Sequence, residues 1–188
     1  MIIVCVKVSQ FYFFHALCSR IKKCNCEQLC QVRGSVNIVE FRPIMLGGSL
    51  VMELRKWNVK DMTEVNKAQQ EKNFTGDFTM RKLPEEANSE EEIYFVEFRK
   101  GCKTRPHIHM SEQILVVSEG KGVVVFVEKM DLNESHESTR LSKKEYEINK
   151  GDIVRVPAGL IHWHGALEDN DFSHIAIRKK TATETIWL

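Results

Sequence analysis

Two histidines separated by one residue, with an amide further on, occupy the segment RPHIHMSEQ at residues 105–113. Side chains two apart on a β-strand point to one face, so His107 and His109 look the same way and Ile108 the other. Gln113 shares their parity, and a bend at Met110, Ser111 and Glu112 would bring it from the adjoining strand to the same interior point. A fourth donor is wanted, and His162 lies in a strand-like segment just past the turn made by Pro157, Ala158 and Gly159. Imidazole nitrogens and a carboxamide oxygen suit manganese, iron, cobalt, nickel or zinc without selecting sharply among them. With glutamate as the third donor a divalent ion would keep a charge near about +1; with neutral Gln113 the full double charge remains to act on bound water or substrate. Taken alone, a His-x-His pair is more often structural than ligating, so its setting decides.

That setting is a succession of short strands with turn punctuation. FTGDFTMRKL and IYFVEFRKG alternate or run apolar around Val, Phe and Tyr, which predicts strands. PEEANSEEE between them reads as a solvated loop, with Glu90 to Glu92 a wet surface. QILVVSEGKGVVVFVEK holds two β-branched runs around a Glu-Gly-Lys-Gly turn and predicts a hairpin. MDLNESHESTRLSKKEYEINKG reads as a long polar connection in which His136 is merely solvated. DIVRVPAG, LIHWHGAL and FSHIAIRK add three more short strands, while MELRKWNVKDMTEVNKAQQEKN is an arm or a short strand and helix. Many short strands and little helix predict an all-β fold, an antiparallel sandwich or barrel with an inward and an outward face.

The remaining composition narrows the partners and the compartment. With 188 residues, one domain, or one domain and a tail, is expected. Charged residues make up 28% of the chain and the net charge is +1, which argues against nucleic acid or an anionic membrane as partner and favours a small-molecule substrate. Lys7, Gln10 and His15 interrupt the apolar start, so no run reaches the ~20 residues of a membrane helix. Cys5, Cys18, Cys24, Cys26 and Cys30 crowd the start and Cys102 stands alone afterwards, a distribution unlike a disulfide framework, and the cytoplasm is expected. Residues 1–51 resemble nothing that follows. They read as a signal peptide lacking a basic stretch and a clean cleavage site, as a thiol zinc site at Cys18, Cys24, Cys26 and Cys30 without paired C-x2-C knuckles, or as a leader upstream of a start at Val51 or Met52. The leader is the preferred reading, leaving 52–188 as the single domain.

Gly101-x5-His107-x-His109-x3-Gln113-x6-Gly120, followed by Gly151-x5-Pro157-x-Gly159-x2-His162, resembles the two characteristic motifs of the cupin superfamily, with both spacings intact. FTGDF upstream and HWHGA and SHIAI downstream extend the resemblance over about residues 73–178. They are similar to single-domain cupins near the carboxymuconolactone decarboxylases, including bacterial cupin hydroxynitrile lyases. The resemblance implies a small antiparallel barrel, or double-stranded β-helix of the jelly-roll kind. It implies one divalent metal on His107, His109, Gln113 and His162: manganese or iron first, zinc, nickel or cobalt as alternatives. Glutamine at position 113 is common in that subgroup. A homodimer is also expected. The family does not match the insert at about residues 129–147, which leaves the barrel rim open.

Catalysis needs a proton carrier beside the ion. His174 occupies the position proposed as general base in the hydroxynitrile-lyase-like cupins, with a packed barrel histidine as its alternative. His164 shares parity with His162 and would face the same cavity or orient a ligand. Trp163 has the opposite parity and is expected in core or rim packing; Arg105 is expected at the surface. Three functions fit: a metal-dependent lyase acting on a small hydroxylated substrate, a cupin dioxygenase, or a non-catalytic metal- or ligand-binding module.

Overall fold

β-Branched and aromatic residues dominate the runs that form strands, and the polar stretches between them form the turns. The computed structural model describes residues 2–8, 11–14, 37–46, 48–84, 90–130, 140–180 and 185–188. His136 and Cys18, Cys24, Cys26 and Cys30 lie outside the described residues. The chain divides into two units, Met1–Met62 and Thr63–Leu188.

In the first unit, β1 (Ile2–Val8), β2 (Phe11–Phe14), β3 (Asn37–Leu46) and β4 (Ser49–Asn58) form an antiparallel sheet in the order β2-β1-β3-β4. Asn58 ends β4 and caps a 3-10 turn at Val59–Asp61: its side chain accepts from the Lys60 amide, and the Asp61 carboxylate accepts from the Asn58 amide. Each bond satisfies a donor that the turn would otherwise orphan.

The second unit carries a 10-stranded antiparallel sheet. It contains β5 (Thr63–Glu64), β6 (Phe78–Lys82), β7 (Glu91–Phe98), β8 (His107–Ile108) and β9 (Gln113–Met130). It continues through β10 (Arg140–Asn149), β11 (Ile153–Val156), β12 (Ile161–Ala166), β13 (Phe172–Lys179) and β14 (Ile186–Trp187). The main path runs β14-β8-β12-β9-β13-β7-β6-β5, with β10 and β11 also on β9. A short helix, α1 (Lys67–Gln70), and a 3-10 turn at Glu71–Asn73 precede β6. The sheet curls around an interior filled by Phe98, Phe172, Leu115, Val117 and Val124, all nearly inaccessible to water.

The expected hairpin in 113–129 is instead one continuous strand, β9. Its first half pairs with β11 and β13, and its second half with β10 and β12. Gly120 marks the change of partners, with φ +77°, and the pairing with β13 shifts register just before it, between the Val117–His174 and Glu119–Ser173 pairs. Both flanking runs are apolar because both are buried in the barrel wall, and a glycine bend between buried runs looks locally like a hairpin turn. The expected polar connection is also corrected: Arg140–Asn149 is a strand paired along residues 121–130. Its polarity reflects exposure of Lys143 to Glu147, with Ile148 turned inward.

A Cβ on Gly120 would lie 1.9 Å from the Asp171 carbonyl oxygen, whereas one on Gly159, with φ +76°, would meet nothing within 4 Å. Gly159→Ala is therefore expected to cost only the backbone penalty, about 1–2 kcal/mol. Gly120→Ala is expected to cost at least about 3 kcal/mol because the two backbone segments, at Gly120 and Asp171, must also separate. Urea unfolding of the two variants checks the ordering, and equal losses would contradict this account of the bend.

Candidate metal centre

Three ring nitrogens, one each from His107, His109 and His162, lie within 4.8 Å of one another in the barrel interior. His107 stands on β8 directly opposite His162 on β12. The turn after β11 secures His109, whose carbonyl accepts from the Gly159 amide at 2.8 Å. The second motif thus braces the first. Ring centroids are 4.8 Å apart for His107 and His109, 4.3 Å for His107 and His162, and 5.3 Å for His109 and His162. Gln113, the first residue of β9, is buried with its Oε1 3.4 Å from His162 Nε2.

Hydrogen bonds behind the rings determine which nitrogen faces inward as a lone pair. His107 Nδ1 donates to the Arg105 carbonyl at 2.8 Å, and His162 Nδ1 donates to the Leu160 carbonyl at 2.9 Å. A carbonyl only accepts, so each proton is held on Nδ1 and each Nε2 is bare. His162 Nε2 and Gln113 Oε1 are then two acceptors facing each other, an arrangement a cation would relieve. His109 differs. Its Nδ1 accepts from Arg178 Nη1 at 2.9 Å and lies 3.2 Å from Thr185 Oγ1, while its Nε2 is buried without a partner. Arginine cannot accept, so the His109 proton sits on Nε2 in this arrangement; ligation through Nε2 requires the proton to move to Nδ1, where Thr185 Oγ1 at 3.2 Å would accept it in place of the Arg178 donor. An uncommitted buried nitrogen, two tautomers aimed inward and an amide oxygen fit a divalent ion, which these residues could hold.

His164 and His174 continue the cluster. β12 points His162 and His164 to the same buried side, and Trp163 to the other, where Lys143 Nζ stands 5.1 Å from its ring centroid. Thr104 clamps His164 by accepting from its amide at 3.1 Å and donating to its carbonyl at 3.2 Å. His174 Nε2 is 3.2 Å from His164 Nδ1, and His174 Nδ1 is buried without a partner. The His164 ring centroid lies 5.7 Å from that of His107. His164 therefore stands beside the triad, and His174 stands behind it, packed on Phe98 and Phe172. Arg105 is exposed and serves through its backbone carbonyl.

A cavity of about 510 Å³ joins His107, His109, His164 and His174 to a polar wall. Glu92 is not the wet surface expected of the Glu90–Glu92 run. Its side chain is only 16% exposed and pairs with Arg178 and Lys82. Sequence reasoning missed Arg178, although it lies on β13 with the parity of His174; that shared parity was the available signal. It also missed Thr185 and Trp187, whose ring sits 4.6 Å from that of His107. Their placement depends on β14 pairing with β8, which no local pattern announces.

An antiparallel β-barrel with a histidine cluster opening on an interior cavity defines the class of protein. The family model for cupins matches residues 64–187, and the chain belongs to the cupin family. It is 31% identical over 85 residues to an (R)-mandelonitrile lyase of Granulicella tundricola, covering 45% of this chain and 54% of that one. The chain thus spans about half the length of that curated relative. A cupin-like protein of Thermotoga maritima of known crystal structure is 31% identical, with 62% of this chain and 80% of that chain covered and a TM-score of 0.48. A cupin 2 conserved barrel domain protein from Rhodopseudomonas palustris aligns with a TM-score of 0.51 at 14% identity, covering 67% and 75% of the two chains, and supports the fold alone. Among the described residues, no helix is long and apolar enough to cross a membrane.

Burial is the main cause that lowers the pKa of all five histidines: His109 and His174 to about 3, His107 to about 2, and His162 and His164 in the same direction. The positive charge of Arg178 adds to it at His109 and His107, and at His107 and His164 so does the repulsion that neighbouring imidazoles would exert on one another if protonated. The folded chain keeps these rings neutral, whereas the unfolded chain protonates them below their ordinary 6.5. Stability is therefore highest above that value and falls as pH drops through it, by up to about 1.4 kcal/mol per histidine per pH unit. Urea unfolding of metal-stripped protein at about pH 7.5 and about pH 5.5 is expected to show the loss, smaller in His174→Gln. A flat profile would contradict the neutral cluster.

Proposed function

We propose that this cupin is a metal-dependent lyase that breaks a carbon–carbon bond next to the hydroxyl of a small substrate. The observation that carries the reading is the shared cavity. It joins His107, His109 and Gln113, which with the neighbouring buried His162 could hold a cation, to a pair of neutral imidazoles, His164 and His174, linked at 3.2 Å with one outer nitrogen uncommitted. Similarity to the (R)-mandelonitrile lyase supports the reaction class. His107, His109, His162 and Gln113 would hold the ion, with manganese or iron the proposed metal on this mixed nitrogen and oxygen donor set. When bound, a divalent ion on neutral donors supplies a strong Lewis acid that acidifies a substrate hydroxyl.

The protein's own groups handle the proton. A histidine whose pKa has fallen to about 3 is in its accepting form at neutral pH but is a weak base. It therefore suits a hydroxyl whose proton has already been loosened. His164 Nδ1 orients His174 by sharing the proton on His174 Nε2, which leaves His174 Nδ1 to accept the substrate proton. Electrons from the breaking O–H bond form the carbonyl, the carbon–carbon bond breaks, and the leaving carbanion recovers the proton from the imidazolium. Phe98, Phe172 and Phe74 keep that side of the barrel dry, so an imidazolium there is short-lived and returns its proton readily.

Three variants test the reading in metal-loaded protein assayed with mandelonitrile. His162→Ala is expected to weaken metal binding by about a hundredfold or more. His174→Ala is expected to keep its metal and lose about a hundredfold to a thousandfold in kcat. Gln113→Glu is expected to bind metal more tightly and turn over more slowly, because the carboxylate cancels part of the ion's charge. Metal content by mass spectrometry and steady-state rates supply the readouts. Turnover unchanged in His174→Ala, or turnover that stops without oxygen, would overturn the lyase assignment.

A further inference from the structure

Strand β14 has no part in the chemistry above, yet it reaches two of the proposed metal ligands. It pairs with β8 in the register Ile186 to Ile108 and Trp187 to His107, and the Leu188 amide donates to the Pro106 carbonyl at 2.9 Å. Strand alternation turns Trp187, and Thr185 just before the strand, toward the histidines and leaves Ile186 and Leu188 exposed. The Trp187 ring centroid lies 4.6 Å from that of His107, and Thr185 Oγ1 lies 3.2 Å from His109 Nδ1. Both side chains line the cavity.

His109 differs from the other two histidines of the triad in what stands behind its ring. His107 and His162 give their Nδ1 protons to main-chain carbonyls. Among the described residues, His109 Nδ1 has instead two side chains within reach, Arg178 Nη1 at 2.9 Å and Thr185 Oγ1. Arg178 is anchored by Glu92, which accepts from its Nε at 2.8 Å, and it has only donors to offer. Against that donor His109 keeps its proton on Nε2, the atom that would face an ion. A hydroxyl can accept twice: one lone pair of Thr185 Oγ1 takes an Arg178 Nη1 proton, and the other would take an Nδ1–H. Moving the His109 proton from Nε2 to Nδ1 by exchange with solvent leaves the ring neutral throughout, so the bond made at Thr185 sets which tautomer is favoured.

We infer that Thr185 is a positioning residue of the candidate metal centre: its hydroxyl accepts from His109 Nδ1 and so holds His109 with Nε2 bare for a divalent cation. Thr185 touches neither ion nor substrate and acts through His109. The pairing of β14 with β8 and the packing of Trp187 on His107 seat it there, so β14 completes a centre whose ligands all come from the two histidine motifs. The inference rests on the reading of the triad as a cation site and needs nothing of the lyase step.

Calorimetric titration of the full, metal-stripped chain with manganese(II) alone tests this. The isosteric Thr185→Val is expected to weaken manganese binding by about tenfold to a hundredfold, while Thr185→Ser, which keeps the hydroxyl, stays within about threefold of the parent. A role confined to seating β14 would follow side-chain shape and spare Thr185→Val. In long-range proton–nitrogen NMR spectra of the parent, the His109 ring is expected to carry its proton on Nε2 without metal and on Nδ1 with diamagnetic zinc bound. Manganese affinity unchanged in Thr185→Val, equal losses in Thr185→Val and Thr185→Ser, or a His109 ring still protonated at Nε2 with zinc bound would overturn the inference. A parent chain that binds no manganese would remove the cation site and the inference together. Mandelonitrile cleavage by the parent, with manganese affinity unmoved in Thr185→Val, would remove the inference and leave the lyase reading standing. A loss in Thr185→Val that Thr185→Ser avoids, without any mandelonitrile cleavage by the parent, would do the reverse.

Discussion

Everything in the barrel interior depends on keeping five imidazoles neutral where water cannot reach them. A buried polar ring needs a hydrogen-bond partner, and a buried charged one needs a counter-ion. The chain supplies the first to His107 and His162 from main-chain carbonyls two residues upstream of each, at Arg105 and Leu160. The same bonds that make burial tolerable decide which nitrogen looks into the cavity. Packing and donor geometry are thus one constraint, because a carbonyl that satisfies Nδ1 necessarily bares Nε2.

Two nitrogens in this cluster stay without partners, His109 Nε2 and His174 Nδ1. Leaving a buried polar atom unsatisfied costs about 1–3 kcal/mol, so such atoms gather where a ligand or a proton is to be received. They fall at opposite ends of the histidine series, one in the triad and one beyond His164. The first belongs where an ion would bind, and the second where a proton would be taken up. His164 connects the two ends.

Strand β9 makes this arrangement rigid. Its first half carries Gln113 inward beside β11 and β13, and its second half forms the wall against β12, opposite His162 and His164. Gly120 permits the bend between the halves and the close approach of Asp171. β13 runs along the same first half, which brings His174 and Arg178 to one cavity from a single strand. The cupin assignment and the geometry therefore meet in a few hydrogen-bonded pairings rather than in a large set of contacts.

The sequence by itself determined the all-β class and the cupin motifs, and it named the histidines that the fold gathers into one cluster. Their period and spacing are local properties of a strand and a turn. It also carried the opposite parity of Trp163 and the shared parity of His162 and His164. Only tertiary structure showed that 113–130 is one strand, that 140–149 is paired, and that Glu92 is drawn from an acidic run into the cavity. Each of these depends on which distant strand supplies the partner, since an apolar run, a polar run and a carboxylate read alike until a neighbour is placed against them. The contacts of Arg178, Thr185 and Trp187 with the histidines are of the same kind: β13 and β14 must be laid beside β9 and β8 before those side chains have anything to touch.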